Sequence, residues 1–142
     1  MKVILFNGSP NQSGCTNEAM KHMAKVLAER DIETEIFQVG GKVRGGCMGC
    51  GGCGGTGRCV IDDCVNQALE LLPSADGFVF GAPVHYASPS ADMVAFLDRL
   101  FYAGSSAMRY KPAAVAAIAR RGGCSSAIDV LMNCLLYTSD AA

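Results

Sequence analysis

Long apolar runs are missing from this 142-residue chain, and charge is sparse, with Asp, Glu, Lys and Arg making up only 18% of it. No stretch approaches the ~18 to 20 consecutive apolar residues of a bilayer-spanning helix, so no membrane span is expected. The opening segment Met1-Lys2-Val3-Ile4-Leu5-Phe6 is cut off at once by Asn7-Gly8-Ser9-Pro10. That is too short for the apolar core of a secretory signal, and a soluble, cytoplasmic protein is expected. Basic clusters are missing too: 12 Lys and Arg lie scattered against 13 Asp and Glu, a net charge of −1. Binding a phosphate backbone needs a concentrated basic surface, so nucleic acid is not an expected partner. Half the residues are hydrophobic, and the length suits one domain around one buried core.

Cysteine, by contrast, is abundant, with 8 in the chain. In a reducing compartment, clustered cysteines serve metal binding or redox chemistry more often than structural disulfides. Cys47, Cys50, Cys53, Cys59 and Cys64 share one short stretch, whereas Cys15, Cys124 and Cys134 stand apart.

The hydrophobic pattern alternates short apolar runs with helical spacing. Lys2 to Phe6 reads as a strand buried on both faces. Ala19, Met20, Met23, Val26 and Leu27 then mark the inner side of a helix. Glu33 to Val39 is a candidate second strand, Val65 to Leu72 a short helix, and Gly77 to Pro83 a third strand. Met93, Val94, Leu97, Leu100 and Phe101 mark another helix, with Asp92 and Arg99 reading as outward. Ala113 to Ala119 is a fourth strand, and a fourth helix begins near Ser125. Strands alternating with helices predict βαβ units and a parallel sheet. Residues 40 to 59 fit no regular element and read as a loop held by something other than its own core. Residues 134–142 fit poorly and resemble translated sequencing-adapter read-through, with a native frayed tail as the alternative. The folded domain is therefore expected over 1–133.

Between the first strand and first helix lies Gly8-Ser9-Pro10-Asn11-Gln12-Ser13-Gly14-Cys15-Thr16-Asn17. Glycines let backbone N–H groups approach an anion, and the hydroxyls of Ser9, Ser13 and Thr16 add donors. The helix N-terminus adds a favourable partial charge. Thr16 or Asn17 would serve as the N-cap. A nucleotide P-loop places four residues between its glycines and then a lysine. Here five residues intervene and Cys15 stands where the lysine is needed, so a triphosphate is excluded. The G-x-G-x-x-G pattern at Gly52, Gly54 and Gly57 follows no strand and reads as a by-product of glycine content. A monophosphate such as that of FMN fits best.

The run Cys47-x2-Cys50-x2-Cys53-x5-Cys59 is a metal signature. Four thiolates can hold a [4Fe–4S] cluster, and three closely spaced ones are the ferredoxin arrangement. A four-thiolate zinc site and a loop of free cysteines are the alternatives. Asp62 or Asp63 reads as the N-cap of the next helix, and Cys64 as helix packing.

These motifs carry a family likeness. Gly8-Ser9-Pro10 with Gly14-Cys15-Thr16 resembles the G-S-P-x(3)-G-N-T loop of the NADPH-dependent FMN reductase and flavodoxin-like superfamily. Gly81-Ala82-Pro83-Val84-His85-Tyr86-Ala87, continuing to Phe96-Leu97-Asp98-Arg99, is similar to the family's flavin-lining P-V-Y segment and its helix ending in D-R. Arg120-Arg121-Gly122-Gly123 is similar to the loop that closes over the isoalloxazine. The cysteine spacing resembles that of the iron–sulfur flavoproteins, a branch of the same family.

The resemblance implies a flavodoxin-like, doubly wound α/β fold of strand order 2-1-3-4-5, the last strand and helix lying beyond this chain. It implies FMN held by Ser9, Asn11, Ser13, Cys15, Thr16, Asn17, Pro83, Val84, His85, Tyr86, Ala87, Arg121 and Gly122. It further implies a cluster on Cys47, Cys50, Cys53 and Cys59, a nicotinamide (NAD(P)H) or protein electron donor, and a homo-oligomer. Two positions depart from the family pattern: Cys15 replaces an amide donor with a weak thiol donor, and His85 replaces a tyrosine. The expected function is an FMN-dependent oxidoreductase with no catalytic acid, base or nucleophile of its own, because the cofactor does the chemistry. A non-enzymatic electron carrier or redox sensor is the alternative, and a zinc-stabilised module without flavin is a third reading.

Overall fold

The computed structural model describes the backbone of residues 1–140 and the side chains of residues 1–136. Four parallel strands form its centre: β1 (Lys2–Asn7), β2 (Glu33–Gln38), β3 (Gly77–His85) and β5 (Ala113–Ile118). β4 (Ser88–Pro89) is a two-residue return antiparallel to the end of β3. The helices are α1 (Cys15–Ala28), α2 (Cys64–Leu71), α3 (Ala91–Met108) and α4 (Cys124–Asp140). A single 3₁₀ turn, Leu72–Ser74, follows α2.

The parallel sheet runs β2-β1-β3-β5, so the chain reverses its direction of travel after β2. This is the doubly wound order expected from the sequence, with β5 in the place of the fourth long strand. Asn7 is level with Gln38 and Gly81, and Gly81 with Ala116. The segments after β1, β2, β3 and β5 therefore all leave from one edge, where an α/β sheet of this type binds ligands.

Both faces of β1 are buried because successive side chains alternate sides. Ile4 and Phe6 join a large core with Phe78, Phe80, Phe96 and Leu97, while Leu5 packs with Met20 and Val79 under α1. Phe6 is the hub of the larger core. Its ring centroid lies 5.0 Å from that of Phe80 and 5.2 Å from that of Phe96. Burying each such ring contributes roughly 1.5–3 kcal/mol. α2, α3 and α4 supply side chains to this core.

Three sequence expectations need correction. Val26, assigned to the inner side of α1, is exposed at 59%. The N-cap of α1 is neither Thr16 nor Asn17 but Gly14. Asn11 accepts Ser13 N–H at its side chain and Gly14 N–H at its carbonyl, which winds the chain into the helix earlier. Arg99, read as outward, is 1% exposed. Its guanidinium is satisfied inside by a carboxylate that comes from a distant loop.

The helix begun near Ser125 starts at Cys124 and runs to Asp140, with Leu131 buried and Cys134 and Leu135 packed on the core. The segment 134–142 read as a tail thus overlaps α4, and residues 141 and 142 lie outside the described residues. No described helix is long and apolar enough to cross a membrane.

Candidate functional site

The loop after β1 is held from three sides. Gly8 N–H donates to Gly81 O at 2.7 Å, and Ser90 Oγ–H donates to Gly8 O at 2.8 Å. Gln38 Nε2 donates to Ser9 O at 2.7 Å and Gly40 O at 2.8 Å. Gly40 has to be glycine, since a Cβ there would overlap the Ser9 carbonyl carbon and oxygen. Inside the loop, Asn7 Oδ1 accepts Ser9 N–H at 3.1 Å and Ser9 Oγ accepts Asn11 N–H at 3.2 Å. These bonds fix the loop without using the first N–H groups of α1.

α1 begins with no side-chain cap on a Gly14 N-cap. The first N–H groups of a helix have no intrahelical partner, so a 14-residue helix presents unpaired donors and its positive dipole end beside this loop. Glu18, the one acidic residue of that first turn, is neutralised by Lys21 at 2.7 Å. The Lys21 hydrogen bond, chiefly, holds its carboxyl below the usual range. The donor set fits a phosphate ester.

Of the predicted flavin contacts, Ser9 and Thr16 are buried, Asn17, Pro83 and Val84 half-buried, and Asn11, Ser13 and Cys15 exposed. His85, Tyr86, Ala87, Arg121 and Gly122 are also exposed. Tyr86 and Ala87 form the two-residue turn between β3 and β4, both left-handed at φ 49° and 62°. This is the twist-matched hairpin turn, built here without glycine or asparagine, and such local strain gathers at functional sites. Ser126 Oγ–H braces the turn by donating to Ala87 O at 2.6 Å. A Cβ on Gly123 would sit 2.7 Å from Ala87 Cα, so the loop after β5 lies directly against the turn. The structure thus gathers the predicted segments 8–17, 83–90 and 120–124 at the carboxyl edge of the sheet.

The cysteine loop, residues 39–63, leaves the same edge from β2. A cavity of about 180 Å³ opens within it, and Cys47, Cys50, Cys53 and Cys59 all line it, together with Arg99 and Tyr102. The four cysteines line one space but do not converge: among the described residues no three Cys, His, Asp or Glu groups are close enough to hold a metal ion. Four cysteines are the donor chemistry that a soft metal or an iron–sulfur cluster takes, and glycines 49, 51 and 57 with positive φ give the loop its tight turns. Cys64 is excluded from this set. It is buried, and burial followed by the nearby Asp63 charge pushes its thiol up to about 11.

Sequence reasoning missed the groups that anchor this loop. Asn66, 1% exposed, clamps the backbone of Cys59 by accepting its N–H at 2.8 Å and donating to its carbonyl at 3.0 Å. Asp63 and Arg99 form a buried pair at 2.7 Å, and Arg99 Nε donates to Cys59 Sγ at 3.2 Å. Asp63 is also the N-cap of α2, accepting Val65 N–H at 3.0 Å, as the sequence suggested. The visible signal for the pair was an arginine in an otherwise apolar helix register.

An iron-sulfur flavoprotein of Methanocaldococcus jannaschii is 34% identical over 99 residues, covering 70% of this chain and 51% of its own length. One of Archaeoglobus fulgidus is 30% identical over 100 residues, covering 70% and 46%. The chain spans about half the length of these curated relatives. Among solved structures, RosB with a bound formylated riboflavin phosphate intermediate superposes at TM-score 0.76 and 15% identity, covering 98% of this chain and 60% of that one. FerB, an NAD(P)H:acceptor flavoenzyme from Paracoccus denitrificans, gives TM-score 0.70 at 20% identity, covering 97% and 72%. At such identities the structural likeness speaks for the fold alone. The pattern characteristic of NADPH-dependent FMN reductases matches residues 1–141, and the chain belongs to that family.

Proposed function

We propose that this chain forms the FMN-binding part of a flavin-dependent oxidoreductase that moves electrons from a reduced donor to a second acceptor. The single observation that carries the reading is the uncapped start of α1 beside a braced, lysine-free loop. Its free N–H donors suit one dianionic phosphate ester and lack the cation a triphosphate requires. In this reading Ser9, Asn11, Ser13, Cys15, Thr16 and Asn17 surround the phosphate. Pro83, Val84, His85, Tyr86 and Ala87 line the ring from one side, and Arg121 and Gly122 from the loop after β5. FMN when bound supplies hydride and single-electron transfer. The strained Tyr86–Ala87 turn fixes backbone donors and acceptors at the ring edge, and the Gly123 contact limits how far the two loops can part.

Cys47, Cys50, Cys53 and Cys59 would hold a [4Fe–4S] cluster in the adjoining cavity, supported by their shared lining of it and by the names of the M. jannaschii and A. fulgidus relatives. A reduced nicotinamide is the proposed donor, supported by the family, in a cytoplasmic homo-oligomer. Steady-state oxidation of NADPH and NADH with excess FMN, followed at 340 nm under anaerobic conditions, tests the enzymatic reading. Multiple turnovers per chain are expected with one of the two nucleotides. A flavin-loaded chain that turns over neither is an electron carrier.

A further inference from the structure

The guanidinium of Arg99 has five N–H donors, and each meets an acceptor. Nη1 donates to Asp63 Oδ2 at 2.7 Å and Gly45 O at 3.1 Å. Nη2 donates to Asp63 Oδ1 at 2.8 Å and Ile61 O at 2.7 Å, and Nε donates to Cys59 Sγ at 3.2 Å. Gly45 precedes Cys47 and Ile61 follows Cys59. One side chain therefore ties both ends of the cysteine loop to α3 at its neck. Bidentate pairing with Asp63 fixes the plane of the guanidinium, and with it the direction of the Nε–H bond.

A pin for the loop would need only Asp63 and the two carbonyls. The fifth bond goes further, because it places a cationic donor on the sulfur of one cysteine of the set. Cys47 Sγ receives only a backbone N–H, from Gly49 at 3.4 Å. Cys53 Sγ sits 3.7 Å from the Tyr102 carbonyl, an acceptor. The backbone of Cys59 is held separately by Asn66, so Arg99 acts on its side chain.

We propose that Arg99 is a positioning residue for the cysteine cavity: anchored on Asp63, it orients Cys59 as the ligand that completes the four-thiol set and stabilises negative charge on the cluster held there. This rests on the cluster reading above. Donors to ligand sulfurs favour the reduced, more negative state and so raise the reduction potential.

The test compares the wild-type chain with Arg99→Lys and with the double variant Arg99→Met/Asp63→Asn, all purified anaerobically. The double variant removes both charges, so no buried charge is left unpaired. Iron per chain, FMN per chain, far-UV circular dichroism and the cluster midpoint potential are measured on each. Both variants are expected to keep FMN and the folded spectrum; in Arg99→Lys the cluster potential moves negative, and the double variant loses iron. For Arg99→Lys, a tenfold shift in the oxidised-to-reduced ratio at fixed potential, 59 mV for a one-electron couple, is the expected size. Unchanged iron and potential in both variants overturns the proposal. Parallel loss of FMN and iron also overturns it, by reducing Arg99 to a pin for the fold. A wild-type chain that binds FMN but takes up no iron removes the cluster reading, and this proposal with it, before any variant is compared.

Discussion

Asp63 serves three segments with one carboxylate. Its oxygens accept Arg44 N–H at 2.9 Å, Val65 N–H at 3.0 Å and both Nη groups of Arg99. Burial pushes its pKa up, but the Arg99 hydrogen bond and the two backbone donors outweigh that and hold it below the ordinary carboxylate value. A group whose folded pKa is depressed contributes stability above its unfolded pKa, about 3.9 for Asp. That contribution is lost as pH falls through the lower, folded value. Asp63→Asn keeps an acceptor at the cap but leaves the Arg99 charge buried without its counterion, at a cost of about 3–5 kcal/mol. Urea melts at neutral pH should show that loss, and the gap between wild type and variant should narrow on acidification below about pH 4. An equal midpoint at pH 7 would contradict the pairing. The sequence showed the arginine but not its partner, for a physical reason. An arginine in a helix is normally solvated, and nothing local to α3 reveals a carboxylate 36 positions away.

At the scale of elements, the strands were readable and the boundaries between elements were less so. β1 and β3 announce themselves as short apolar runs because they are buried on both faces. The start of α1 was misplaced because hydroxyl and amide residues at Thr16 and Asn17 look like caps, whereas the Asn11 turn takes over the winding. The Tyr86–Ala87 turn carries no glycine or asparagine, so the residue types that usually betray a left-handed pair are missing. Packing between the ends of β1 and β2 decides whether the phosphate seat survives. Gly40 N–H donates to Asn7 O at 3.0 Å while the Gly40 Cα lies against the Ser9 carbonyl. Neither backbone can yield cheaply. Gly40→Ala should cost about 1–3 kcal/mol in stability and weaken FMN binding by about tenfold or more, a loss of about 1.4 kcal/mol. Quenching of FMN fluorescence on titration reads the affinity, and wild-type binding by this variant would place the phosphate elsewhere.

For the whole molecule, the topology seats one candidate site at the sheet edge and a second along α3, and that helix joins them. Ser90, its N-cap, holds the loop after β1, and Arg99 faces the cysteine cavity. The two residues are about 13 Å apart along the helix axis at 1.5 Å per residue. The order of strands and helices was legible because each loop motif follows a strand and so falls on the same edge. How the cysteines share a cavity was not, since a glycine-rich loop has no periodicity to read. The central claim is that this fold seats one riboflavin monophosphate at the sheet edge and a four-cysteine cluster against α3. The measurement that tests it most directly is the visible spectrum, with flavin and iron quantitation, of the chain isolated anaerobically and equilibrated with excess FMN. The account predicts one FMN and about four irons per chain. A colourless chain that retains no FMN after removal of the excess would contradict it.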